Sequence, residues 1–425
     1  MVGEPMKFAF VTPRYGADIG SGVEHACRLL AEHICERHDV DVLTTSARDH
    51  RTWKNEYSEG ADRVRGVLVR RFGVGMVPDH IGFDALSERL RTSPHSRAEE
   101  LEWVRLHGPW SPGLIDYVKR TNRSYDVLVF FGLWHPLTVH GLEIAPERSI
   151  LFPYLQLEPA LRFGLWPDVL RPARGLGFFS EAERRLLHSY VGVRHHCEEV
   201  VGIGVDPPPQ QSYPRHQQDP HDTIADDDLG ADEDLEPDYL DRRGIPFKRR
   251  HRLYGRVALY GGRVESDNGC EEMLEYFDAY ASSDGGATLV LMGLKMMKVP
   301  EEPYLRLAGV IPDRERMTAY EAADVTIAPA SDDLLAQPLL ESLAVGTPVL
   351  ASARNPAAVE HCRRSGAGLY YATREEFVGA LTLLTDNAHL CEKLGANGRA
   401  YIRSHHRWDG VLGRFDRLIA RARSR

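Results

Sequence analysis

The part of this sequence richest in groups that can do chemistry runs from Pro329 to Ser352, PASDDLLAQPLLESLAVGTPVLAS, directly after the strand-like run DVTIA. Seven residues separate Asp333 from Glu341. Pro338 suits the first turn of a helix, which puts Glu341 in that turn and Asp333 in the loop before it. Free backbone N–H groups at a helix start favour a phosphate, and a carboxylate can accept two ribose hydroxyls at once. The same spacing also suits a glutamate that caps a helix and an ordinary loop acid. Arg263 follows the run RVALYG and a second glycine. There it is placed for a bidentate phosphate contact, or as a surface arginine at a strand end. Near the N-terminus Gly16, Gly20, Ser21 and Gly22 form a loop before a helix. Glycine lets backbone approach a ligand closely, although GADIGSG lacks the GxGxxG order of a dinucleotide fingerprint and also reads as a plain βα turn.

These residues need elements to hold them. KFAFVT at 7–12 is a short apolar run, and Val23, Cys27, Leu30, Ala31 and Ile34 recur at helical spacing before the next run, DVDVLTT at 39–45. That is a βαβ opening. Further strands are expected at 66–72, 125–131, 149–152, 176–180 and 199–203, with helices at 97–107, 113–121 and 181–190. After a break, strands at 256–261, 287–292, 305–310, 324–328 and 347–351 alternate with helices at 269–282, 313–322 and 337–345, followed by helices to the end. The fold class is α/β, two doubly wound parallel sheets, with ligand in the cleft between the carboxyl ends of their strands. The expected divisions are 1–205, a linker at 206–252, a second domain at 253–407 and a terminal helix at 408–425. The linker opens with prolines and continues into an acidic stretch with no Lys or Arg from Asp219 to Asp241. It therefore reads as mobile.

Composition narrows the function. The chain has 425 residues, 43% hydrophobic and 27% charged, which excludes a disordered or collagenous protein. Lys+Arg 52 against Asp+Glu 62 leaves a net charge of −10, which argues against a nucleic-acid partner. The six cysteines show no CxxC pair, and the histidine pairs 195/196 and 405/406 lack a third ligand in metal spacing, so no metal site is expected. Ser180 and Ser331 lie in no GxSxG elbow. No apolar run reaches the roughly 18 to 20 residues of a membrane span. A cytoplasmic protein is expected, with the basic tail RLIARARSR as a solvated helix end or a peripheral membrane contact.

Several motifs in order resemble the family-4 retaining glycosyltransferases of the GT-B fold. They are RYGADIGSGVEHACRLLAEHI, VVGIGVD at 200–206, LYGGRVESDNGCEEMLEYF, the Asp333 to Glu341 stretch with GTPVLAS, GLYY and LGANGRAYIRSHHRW. The resemblance covers most of the chain and leaves out 207–252. It implies two Rossmann-like domains facing a central cleft and a terminal helix that crosses back to the first. It implies transfer of a sugar from a nucleoside diphosphate sugar to an acceptor hydroxyl, with no cofactor and no metal. Glu341 would bind the ribose, Asp333 would lie near the transferred sugar and Arg263 would meet the diphosphate. Leu334, Leu335, Lys295, Gly20, Ser21 and Gly22 would line the donor side. Gln156 and Glu158 would lie on the acceptor side. The chain departs from the family at three places: Asp333 stands for a glutamate, Asn268 for a lysine, and Gln156-Leu157-Glu158-Pro159 for His-Asp-Glu-Pro. Lys295 is a candidate to replace the lost cation, or a solvated lysine. The rivals are a non-catalytic or partner-dependent GT-B protein whose turnover these positions reduce, and an NAD-dependent oxidoreductase, which the absence of GxGxxG disfavours.

Overall fold

A computed structural model describes residues 4–19, 22–76, 78–206, 244–283, 285–331 and 334–424. Gly20, Ser21 and Asp333 lie outside the described residues, as does 207–243 of the expected linker.

The first sheet is built from β1 (Lys7–Val11), β2 (Asp39–Thr45), β3 (Gly60–Val64), β4 (Val67–Phe72), β5 (Val127–Phe131), β6 (Ser149–Phe152), β7 (Gly175–Phe178) and β8 (Glu198–Val200). Their order is β3-β4-β2-β1-β5-β6-β7-β8. Every pair is parallel except β3 with β4. β5 is a fully apolar run, and β1 is apolar from Phe8 to Val11; both stretches are buried on both faces, which is what buried parallel strands require. The second sheet is all parallel, with β9 (Arg256–Gly261), β10 (Ala287–Met292), β11 (Leu305–Gly309), β12 (Val325–Ala328), β13 (Val349–Ser352) and β14 (Gly368–Tyr371) in the order β11-β10-β9-β12-β13-β14. These are two doubly wound α/β domains.

Both sheets reverse their strand order once, between β1 and β5 in the first and between β9 and β12 in the second. At such a reversal the flanking helices leave on opposite faces and open a crevice beyond the carboxyl ends of the strands. The loops after β1, β5, β9 and β12 are therefore the ones the fold makes available for a ligand.

Five elements stand out from the sequence expectations. The edge strand β3 has a mostly exposed pattern, GADRV, that carries no periodicity. The helices His80–Thr92 and Pro136–Leu142 were not expected either. β14 interrupts what reads as helix to the end, because GLYY is too short to signal a strand without its partner β13. Residues 245–251, placed in the linker, form the helix Ile245–His251, which buries Phe247 in the same apolar cluster as Val257 and Tyr320 of the second domain.

The helix Trp408–Arg423 lies against the first sheet. Phe415 stacks among Phe8, Phe10 and Phe152, Arg414 donates through Nε to the Val201 carbonyl at 2.7 Å, and Arg417 and Arg421 both pair with Glu199. One apolar cluster runs through both domains, containing Phe8 and Val23 from the first and Leu335 and Leu343 from the second. Among the described residues no helix is long and apolar enough to cross a membrane.

Candidate active site

Strand β9 ends at Gly261, and the chain turns through Gly262 into Arg263. A Cβ on Gly293, at the end of β10, would collide with the Gly262 carbonyl oxygen, so this close approach of two strand ends requires glycine. The turn is tied from within. The Arg263 carbonyl accepts from the Tyr260 hydroxyl at 2.7 Å and from Asn268 Nδ2 at 3.1 Å. The guanidinium of Arg263 pairs with Glu265 at 2.9 Å, and Asn268 donates to the same carboxylate oxygen at 3.0 Å. Asn268 thus serves as a clamp on the loop rather than as a charge. Lys295 pairs its backbone alongside Val264, and its side chain is exposed.

The helix Gln337–Val345 begins where Ala336 adopts a left-handed φ of 51° and Pro338 enters the first turn. Glu341 is buried in that helix. Its Oε1 accepts from Arg316 Nη2 at 2.6 Å and from Gln337 Nε2 at 3.0 Å. Burial pushes the Glu341 carboxyl above its usual range, and those two donors pull against the rise. Leu334 and Leu335 were expected on the donor side, but their side chains are buried in the shared apolar cluster. Any donor contact there falls to backbone, because an apolar side chain gains more from the core than from a polar ligand.

On the opposite wall Gly22 opens the helix Gly22–Ile34 with φ of 75°. Gln156 and Glu158 form a tight turn beyond β6, with the Glu158 N–H donating to the Gln156 carbonyl at 2.9 Å. Four residues on this wall were not singled out from sequence: Arg14, Glu24, His50 and His135. Arg14 Nε meets Glu24 Oε1 at 2.9 Å. Burial opposes the charge of Glu24, yet Arg14, with His135 nearby, holds its carboxyl below the usual range. His135 precedes the helix Pro136–Leu142 directly beyond β5, and its Nδ1 lies 2.8 Å from the Gly108 carbonyl. Burial pushes it below the usual histidine range. His50 is pushed down too, by burial and by the charges of Arg14 and Arg263, one from each domain. The signal for His135 was available in FFGLWHP, a polar residue at a strand end before a helix-starting proline.

The two walls are also joined by ion pairs. Asp313, at the start of the helix Asp313–Ala322, meets Arg65 at 2.9 Å, Arg28 at 3.6 Å and Arg316 at 3.1 Å. Arg28 in turn reaches Glu32 at 3.0 Å. Among the described residues no cluster of three or more His, Cys, Asp or Glu side chains is arranged to hold a metal ion. His406 is a packing residue, buried with Nδ1 at 3.0 Å from the Ile203 carbonyl.

Residues 241–401 match the family model described as glycosyl transferases, group 1. Solved structures of GT-B glycosyltransferases share the whole architecture. Sucrose-phosphate synthase from Thermosynechococcus elongatus is 14% identical with a TM-score of 0.65, over 98% of each chain. HepE from Anabaena, in complex with UDP and glucose, is 13% identical with a TM-score of 0.66, over 98% of this chain and 99% of that one. The trehalose-6-phosphate protein from E. coli, bound with UDP-2-fluoro glucose, is 14% identical with a TM-score of 0.63, over 97% and 99%. At these identities the likeness is one of fold, and the fold is GT-B.

Proposed function

We propose that the protein is a glycosyltransferase that moves a sugar from a nucleoside diphosphate sugar to an acceptor hydroxyl, with retention at the anomeric carbon. The observation that carries this reading is that Arg263 and Glu341 fall inside the segment matched to the group 1 glycosyl transferases, and both stand at the strand-order reversal of the second sheet. Glu341 takes the ribose, and Arg263 takes the diphosphate, leaving Glu265 to do so. Departure of the diphosphate is limited by charge growing on its oxygens, and a fixed guanidinium with nearby backbone N–H groups stabilises that charge. The bond from the anomeric carbon to the diphosphate breaks as the bond to the acceptor oxygen forms. The acceptor proton passes to a diphosphate oxygen on the same face, so no protein nucleophile is invoked. Asp333 is assigned to the transferred sugar, and Gln156 and Glu158 to the acceptor side. No step uses a metal, and the reaction is assigned to the cytoplasm.

A second reading, a GT-B protein that binds donor without turning it over, is favoured by the internal use of Asn268, which ties a carbonyl and a carboxylate where a cation is expected. Purified protein incubated with UDP-glucose, other UDP sugars and GDP sugars separates the two. Thermal stabilisation by one donor, with sugar released or transferred, supports the enzyme. Stabilisation with neither hydrolysis nor transfer supports the binding protein, and no stabilisation by any donor refutes both.

A further inference from the structure

Glu341 does not stand alone in the second domain. Both of its bonds, from Arg316 and from Gln337, run to Oε1, and neither uses Oε2. Arg316 lies on the helix Asp313–Ala322 and also binds Asp313 on its own helix at 3.1 Å. Asp313 is the residue that meets the first domain, through Arg65 in the turn between β3 and β4 and through Arg28, whose side chain is 1% exposed. A continuous line of opposite charges therefore runs from the proposed ribose carboxylate to the helix that follows the glycine-rich loop.

Resting on the donor-site reading above, we propose that Arg316 is a positioning residue. It holds Glu341 for the nucleotide ribose and, through Asp313, fastens that grip to Arg28 and Arg65 of the first domain.

Three features support this. A carboxylate as buried as Glu341 is costly unless a cation and further donors meet it, and Arg316 is the cation in contact with it. The arrangement leaves Oε2 clear of those bonds, so Arg316 orients the carboxylate without consuming it. The polar cluster is also short of acceptors. His25 Nδ1 lies 3.0 Å from Arg28 Nη2 and accepts its proton, so His25 Nε2 carries the ring hydrogen. Arg28 Nε and Arg316 Nε are buried with no hydrogen-bond partner among the described residues. Buried donors without acceptors are rare in finished structures, and oxygen atoms of a ligand would complete them.

The pH behaviour follows from the groups facing Glu341. Arg316, Asp313 and Tyr320 face it from the helix Asp313–Ala322, Gln337 from its own helix, and His25 and Arg28 lie behind Arg316 on the first-domain helix. Without Arg316, burial and Asp313 act on Glu341 with no cation to oppose them. The carboxyl then stays protonated to higher pH and loses charge-assisted acceptance of the ribose hydroxyls.

The test is the affinity of the full chain for UDP and for GDP between pH 5.5 and 8.5, with each variant checked for folding by circular dichroism. Arg316→Ala should weaken binding of the preferred nucleotide about tenfold or more near pH 7. The loss should shrink as pH rises. Arg316→Lys should restore most of the affinity. Arg316→Ala added to Glu341→Gln should cost little more, because the two act as one unit. Asp313→Asn and Arg65→Ala, on the cross-domain side, should each weaken binding by a few-fold, and their effects should not add. Unchanged or tighter binding by Arg316→Ala, in a protein where Glu341→Gln binds poorly, overturns the inference and leaves the donor site standing. Unchanged binding by Glu341→Gln overturns the donor-site reading itself. If Arg316→Ala does not fold, Arg316→Gln takes its place, and full affinity in both Arg316→Gln and Asp313→Asn at every pH overturns the inference.

Discussion

On the first-domain wall of the cleft the polar groups are mostly neutral rings fixed by packing. His107 and His135 lie 5.0 Å apart between ring centroids, His107 half-buried and His135 buried and held to the Gly108 carbonyl. On the second-domain wall the groups are charged and paired. Arg263 is on Glu265, Arg316 on both Glu341 and Asp313, and Asn268 locks the loop between them. The first wall is built to hold a shape, with Arg14 balanced internally by Glu24 and with Arg28 and Arg65 turned to Asp313 of the other wall. On the second, Arg263 and Arg316 each hold a carboxylate that, under the proposed transfer, a phosphate or a ribose would displace or join. A leaving diphosphate is stabilised best by cations already held in place, so under the proposed transfer the second wall would serve the diphosphate and the first the bound sugar.

That contrast can be broken most forcefully in the packing of the first wall. Phe415→Ala removes a ring stacked among Phe8, Phe10 and Phe152, and should cost about 3–5 kcal/mol of first-domain stability. Denaturant melts followed by first-domain tryptophan fluorescence should show that loss, with the second domain still able to bind nucleotide. A loss below about 1 kcal/mol would show that the terminal helix is not part of the first wall's core. On the second wall charge matters more than packing. Arg263→Ala should lower the transfer rate about a hundredfold and weaken donor binding, with little change in thermal stability. Equal rates in variant and parent would remove Arg263 from the reaction. Glu341→Gln should weaken nucleotide binding by about 1.5–3 kcal/mol, read by titration calorimetry.

Acid should separate the walls differently. Burial, with Arg28 and Arg316 adding to it, pushes His25 down to about 3, and burial with His135 nearby does the same to His107. His406 is pushed down to about 4, again chiefly by burial. In the unfolded chain such rings take protons near pH 6.5. Stability from all three is therefore full above about pH 6.5 and is lost as pH falls through that value toward 4 and then 3. Melting temperature should decline across that window, and less steeply in His406→Gln. An equal slope in that variant would show that His406 is protonated in the fold. The smallest effect should come from Asn268→Lys. It adds a cation but loses the bond to the Arg263 carbonyl, so the transfer rate should rise by no more than a few-fold. A fall in rate would show that the clamp matters more than the charge.

The sequence carried the parallel strands of both sheets well, because β1, β5, β9 and β12 are largely apolar runs and buried parallel strands leave that mark. It carried Glu341 and Arg263 as candidates because each sits next to a strong local signal, a helix-starting proline and a glycine pair. It did not carry their partners. Arg316 and Glu341 are 25 residues apart and Arg65 and Asp313 are 248 apart, and no periodicity links charges over such distances. Glu24 and His135 were passed over for a related reason: a single polar residue at a helix start is ordinary, and only the meeting of two strand ends makes it part of a site. Leu334 and Leu335 went the other way. Their neighbourhood pointed to the ligand while their side chains belong to the core, and position in a motif says nothing of which way a side chain turns.

The return of the helix Trp408–Arg423 to the first sheet sets an order of assembly during synthesis. The aromatic cluster of Phe8, Phe10 and Phe152 emerges early, but Phe415 emerges only after the whole second domain has been made. The second sheet, continuous between residues 256 and 371, can close as soon as it leaves the ribosome. The first domain must wait with an apolar face uncovered. A nascent chain arrested before Phe415 should therefore carry a finished second domain beside a sticky, chaperone-dependent first one, and the two halves of the cleft reach their final form in the reverse of the order in which they were begun.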